Sequence, residues 1–188
     1  GYMPVEQLVA SFDIETSNLK ADFGTLLAVC IKPWKQPVQV YREDSYTRER
    51  RSQNPQMLID VITELNKYPI LIAHNGVQFD RPYLNTLAMV LGLGVEVDPK
   101  GKLIDPVLIA RRHLAFSSNR LDVLSEWLAT RTRKTLVKRE AWVRAVFDAD
   151  TQALNYIVEH CIKDVKVLEE VAWRLRKFIP QINHFGSF

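Results

Sequence analysis

The chain has 188 residues, 47% of them hydrophobic and 25% charged, with a formal charge of +3. That suffices for the core of one domain spanning residues 1–188 and excludes disordered, collagen-like and disulfide-dense classes. No apolar run approaches the roughly 20 residues a bilayer crossing needs, and Glu6 breaks any signal-like start, so a cytoplasmic protein with no membrane partner is expected. The two cysteines, Cys30 and Cys161, sit in apolar contexts without metal-ligand spacing and read as buried free thiols. The mild positive charge permits a polyanionic partner without demanding one.

In chain order, residues 5–16, 25–32 and 38–43 read as strands, with turns at Gly24, Pro33 and Pro37. Residues 44–54 are polar and basic and read as a surface loop. From Pro55 to about Tyr68, Met57, Leu58, Val61, Ile62 and Leu65 follow helical spacing, with Pro55 suited to an early helix position. A short buried strand follows over 69–73, then a turn at His74-Asn75-Gly76 and a helix from about Pro82 to Leu91. A brief strand ends at Asp105, and helices are expected over about 106–114 and 121–129. Trp127 and Trp142 read as core residues, with base stacking as the alternative. The stretch 131–139 is basic, and the last helix, about Thr151 to Lys177, is the longest and clearest. The pattern predicts an α/β fold, a mixed β-sheet flanked by α-helices.

Asp13-Ile14-Glu15 closes an apolar run. On a strand both acids share one face, where they repel each other unless the face is solvated or a cation lies between them. A hard divalent cation prefers such oxygens. On the last helix Leu154, Ile157, Cys161, Leu168, Val171 and Leu175 form the apolar stripe, and Asp164 falls on that stripe, seven residues from both Ile157 and Val171. His160 lies one turn before it. An acid there is either paired inside the core or working at a site. Asp80, just ahead of a helix with Pro82 in its first turn, reads by itself as an N-cap, and Asp105-Pro106 reads the same way.

Together these segments resemble the DEDD family of 3′–5′ exonucleases, with a ribonuclease H-like fold, and most closely the proofreading domains of family B DNA polymerases and their stand-alone bacterial and phage relatives. Asp13-Ile14-Glu15-Thr16 resembles the first motif. Asn75-Gly76-Val77-Gln78-Phe79-Asp80, continued by Pro82-Tyr83-Leu84, resembles the second. Asp164 resembles the third, and residues 120–128 are similar to the helix that precedes it. The likeness covers about residues 8–176. One position departs: His160 stands where the polymerase-like branch carries Tyr, four residues before the last acid, whereas the other branch carries His five before.

The resemblance implies hydrolysis of phosphodiester bonds with two divalent cations, Mg2+ or Mn2+. One would be held by Asp13, Glu15 and Asp164, the other by Asp13 with Asp80 reaching it through water. His160 would either hold the attacking water or act as its base. The implied substrate is the 3′ end of single-stranded DNA, with RNA or a non-catalytic nucleic-acid-binding module as alternatives. Thr16, Leu19, Asn75 and Phe79 match positions around the terminal nucleotide. Arg111, Arg112 and Arg120, with the 131–139 stretch, are candidates for the phosphate backbone.

Overall fold

Five strands, β1 (Val9–Thr16), β2 (Leu26–Pro33), β3 (Gln39–Arg42), β4 (Ile70–Ile72) and β5 (Lys102–Ile104), form one sheet in the order β3-β2-β1-β4-β5. The computed structural model describes residues 3–46, 53–98, 102–128, 144 and 150–186. The connection from β1 to β2 is short, so the two pair antiparallel, as do β2 and β3. Reaching β4 requires a crossover, and β4 pairs parallel with both β1 and β5.

Among the described residues the helices are α1 (Val5–Leu8), α2 (Pro55–Leu65), α3 (Asp80–Val90), α4 (Pro106–His113), α5 (Leu121–Trp127) and α6 (Thr151–Arg174). No helix among the described residues is long and apolar enough to cross a membrane. α2 begins as its sequence suggests, with Pro55 in the first turn and the Asn54 side chain accepting from the Gln56 N–H at 2.9 Å. Its stripe of Met57, Leu58, Val61, Ile62 and Leu65 is buried. Each such side chain contributes about 1.5–3 kcal/mol of transfer free energy.

Strand alternation divides the core. Ala10, Phe12 and Ile14 of β1 pack with α2 and α3. On the opposite face, Val9 packs with α5 and α6, and Cys30 of β2 packs with Cys161 and Val165 of α6. Asp13 is the register partner of Cys30, so it faces α6 as well.

Several boundaries differ from the sequence expectations, among them α2, which ends at Leu65 rather than near Tyr68. Residues 5–8, read as strand, wind into one helical turn after Pro4, and β1 starts at Val9. α3 begins at Asp80, two residues before Pro82. α6 ends at Arg174, and the chain continues as a tighter turn over Arg176–Phe178. Residues Glu43–Ser45 form another such turn, across the end of the expected strand and the start of the expected loop. Trp127, expected in the core, is 67% exposed at the end of α5. The basic stretch 131–139 and Trp142 lie outside the described residues.

Candidate active site

β1 carries the first two acids. Asp13 and Glu15 are both half-buried on the α6 face, next to a register shift between Glu15 and Thr16 in the pairing with β2. Among the described residues, one group of potential metal-ligand side chains is tight: carboxylate oxygens of Asp13 and Glu15 and the Cys161 sulfur all lie within 4.8 Å of one another. Two carboxylates at that separation repel by about 1–3 kcal/mol, between the bulk-water and near-surface limits. A cation or a proton removes the repulsion.

β4 pairs with β1 only at Val9, Ala10 and Ser11, so beyond Ser11 this edge of the central strand has no neighbouring strand. Asp80 fills the gap, its Oδ2 accepting the main-chain N–H of Ile14 at 3.3 Å. This corrects the N-cap reading. Asp80 is the first residue of α3, Phe79 holds the cap position without a side-chain cap bond, and the Asp80 carboxylate is turned to the strand. Burial pushes this carboxyl well above the usual range and the charge of Asp13 pushes it further, while the Ile14 and Asp80 amides oppose the shift. Asp80 is therefore close enough to Asp13 for each to feel the other's charge.

The cap reading of Asp105 holds and extends. Its carboxylate accepts from Val107 N–H at 3.0 Å, starting α4, and from the N–H groups of Asn75 at 2.9 Å and Val77 at 3.4 Å. It thereby shapes the turn that delivers Asp80. Asn75 has φ +58°, a left-handed conformation that Asn tolerates, and a Cβ on Gly76 would overlap that of Ala73. The Asn75-Gly76 pair is thus required by backbone geometry, apart from any contact with a ligand.

α6 supplies the remaining groups. Asp150 caps it, accepting from Gln152 and Ala153 N–H, and Leu154, Ile157 and Cys161 seat it on β2. Asp164 is buried one turn beyond Cys161. Neither Asp164 nor Asp80 belongs to the tight 4.8 Å group. His160, also buried, meets Tyr156 edge-on with ring centroids 4.4 Å apart.

Cys161 was read only as a buried thiol, which it is, yet it also stands in the site. Its sulfur lies 3.5 Å from Asp13 Oδ2, toward which the thiol donates. Burial first, then the neighbouring Cys30 and Asp13, pushes the thiol well above its ordinary value. The signal was present in the sequence, because Cys161 precedes Asp164 by three residues and so shares its helix face. A neutral thiol leaves carboxylate oxygens as the donors, and that set fits a hard Mg2+ or Mn2+ ion.

A cleft of about 600 Å³ opens beside Asp13 and is lined by His74, Asn75, Gln78, Arg111 and Arg120, among others. His74 Nε2 lies 2.8 Å from the Asn119 carbonyl oxygen and ties the turn after β4 to the loop before α5. By sequence, His74 and Gln78 have no role beyond the turn and the motif that contain them. Phe79 and Leu19 line an adjoining hollow of about 250 Å³ that shares Gln78, and Leu19 is 78% exposed. The Thr16 hydroxyl donates to the Asn18 carbonyl at 2.9 Å and so holds the turn that carries Leu19. Arg120 pairs with Asp122 at 3.3 Å in the cleft wall. Arg112, grouped with Arg111 by sequence, lines a different cavity on the other side of α4.

The model of the RNase H superfamily matches residues 10–176, which takes in all four acids. No curated protein matches the chain. Among solved structures, the family B DNA polymerase of the hyperthermophilic archaeon Pyrobaculum calidifontis is similar in fold, with a TM-score of 0.69 at 18% identity. The likeness covers 89% of this chain but 24% of the polymerase chain, so the protein spans about a quarter of that relative. The mixed five-stranded sheet and the match along most of its length agree: the chain belongs to the RNase H superfamily.

Proposed function

We propose that the protein is a divalent-metal-dependent 3′–5′ exonuclease that removes nucleoside monophosphates from single-stranded DNA. One observation carries the reading. Asp80, from a helix 66 residues away in sequence, bonds the backbone between Asp13 and Glu15 at the open edge of the central strand. Buried acids are not gathered there for stability, since each adds repulsion and desolvation cost.

In this reading Asp13, Glu15 and Asp164 would hold one cation, and Asp13, with Asp80 through water, would hold a second. Bound there, two divalent cations, Mg2+ or Mn2+, would supply positive charge against the charge that builds on the phosphate. His160 orients the attacking water or takes its proton. Asn75, Phe79 and the Thr16–Leu19 turn surround the terminal nucleotide, and Arg111 and Arg120 draw the phosphate backbone into the cleft.

The test is a time course on matched 5′-labelled DNA and RNA oligonucleotides with Mg2+, with Mn2+ and with chelator. A ladder shortening from the 3′ end, dependent on metal and faster on DNA, is the expected result. Internal cuts in a circular single strand, or no cleavage with either metal, would overturn the proposal.

A further inference from the structure

Among the described residues β5 is the last strand of the sheet, and its outer edge borders a groove of about 520 Å³. The Lys102 N–H donates to the Pro69 carbonyl and the Ile104 carbonyl accepts from Ala73 N–H, so both point toward β4. Alternation along the strand turns the N–H and C=O of Leu103 the other way, into the groove. Residues Lys102 to Asp105 form one wall, α4 a second and residues 177–181 the third.

The lining has a consistent chemistry. Its floor is apolar, from Ile104, Leu108, Ile109 and Ile179, and Leu108 and Phe178 stay partly exposed in it. The cations Lys102, Arg112, His113 and Lys177 stand around it. Among the described lining residues the only acid is Asp105, which is buried with its carboxylate committed to the amides of Asn75, Val77 and Val107, so it offsets little of that charge toward solvent. His113 stacks on Phe178 with centroids 4.7 Å apart and closes one side.

We propose that this groove binds an extended segment of a partner protein, alternating acidic and apolar residues, added as a further strand along the outer edge of β5. A peptide backbone offers both a donor and an acceptor to Leu103, whereas a phosphodiester backbone offers acceptors alone. The apolar side chains of such a segment fill the floor and its acids meet the rim cations. α4 is the wall shared with the cleft beside Asp13, presenting Val107 and Arg111 to that cleft and Leu108 and Arg112 to the groove. A partner held here is therefore placed beside the cleft without entering it. The inference does not depend on the nuclease reading.

The experiment uses the full chain and a fluorescein-labelled peptide of sequence Asp-Val-Asp-Phe-Asp-Val, with a Lys-for-Asp peptide as control, followed by fluorescence anisotropy. The acidic peptide should bind and the basic one should not. The double variant Lys102→Glu/Lys177→Glu should weaken binding at least about fivefold, since both side chains are exposed rim charges. Hydrogen exchange on the unsubstituted protein adds a measurement free of any folding defect in that variant: the Leu103 amide should slow when peptide is present. Equal binding of the basic peptide, unchanged affinity in the double variant, unaltered exchange at Leu103, or displacement by a single-stranded oligonucleotide would each overturn the proposal.

Discussion

The Asp80 carboxylate accepts the Ile14 main-chain N–H at 3.3 Å, so an acid on α3 occupies the place of the missing strand beside β1. The bond satisfies a backbone donor between two other acids and carries a cost, because Asp80 is buried and faces the charge of Asp13.

A pH dependence follows from that cost. The folded Asp80 carboxyl titrates well above its usual range, whereas in the unfolded chain it ionises near the ordinary value. Between those values the unfolded state releases a proton that the folded state keeps, so in chelator stability falls as pH rises through that window. Asp80→Asn keeps an acceptor for Ile14 and removes the charge. It should raise the melting temperature at neutral pH, flatten the loss on going from acid to neutral pH, and abolish nuclease activity. Melting curves at several pH values check this, and a variant no more stable than the parent at neutral pH would contradict it.

Metal stoichiometry separates the acids. In the proposed arrangement Asp13 serves both ions and Asp80 only one, so Asp13→Ala should remove both bound Mn2+ ions and Asp80→Asn one. Cleavage should fall by about a hundredfold or more in each, since several kcal/mol of charge stabilisation is lost. Electron paramagnetic resonance titration of free Mn2+ against each variant gives the counts. Equal counts in the parent protein and Asp13→Ala would remove the acids from metal binding.

What was legible in the sequence depended on range. The facing of Asp13 and Glu15 follows from strand alternation, and the position of Asp164 on the buried stripe from helical periodicity, and both were readable locally. Asp80 was not, because a carboxylate just ahead of Pro82 gives the same local signal as a cap, while its true partner lies 66 residues upstream. The helical turn at 5–8 escaped because four residues are too few to show a period. Sheet order, and with it the place of β5 at the end of the described strands, is set by pairings between distant strands, which no local pattern reports. Trp127 shows the limit of composition: a large aromatic on a helix reads as core, yet this one is exposed at the helix end.

Away from the site, Lys32 Nζ meets Glu169 Oε1 at 2.7 Å, with both side chains largely shielded from water. Glu169 Oε2 also accepts the Lys35 N–H, at a residue whose φ is +58°. Removing one partner of a buried pair leaves the other charge uncompensated, so Lys32→Met should destabilise the protein by about 3 kcal/mol. Denaturant unfolding measures it, and a loss under about 0.5 kcal/mol, typical of exposed pairs, would show that water screens the pair.

His160 is the one position where the chain departs from the polymerase-like pattern, and it packs edge-on against Tyr156 rather than lying free on the surface. A histidine that orients or deprotonates water acts through its ring nitrogens, which Phe lacks and which the hydroxyl of Tyr replaces only as a hydrogen-bonding group. His160→Phe should lower the cleavage rate by about a hundredfold, the lower end of what a positioned acid–base group contributes, while Mn2+ stoichiometry stays unchanged. His160→Tyr should recover part of that loss if the hydrogen bond to water is the main contribution, and should remain as slow as Phe if proton transfer is. A Phe variant with the parent rate would take His160 out of the chemistry and leave it as packing for Tyr156.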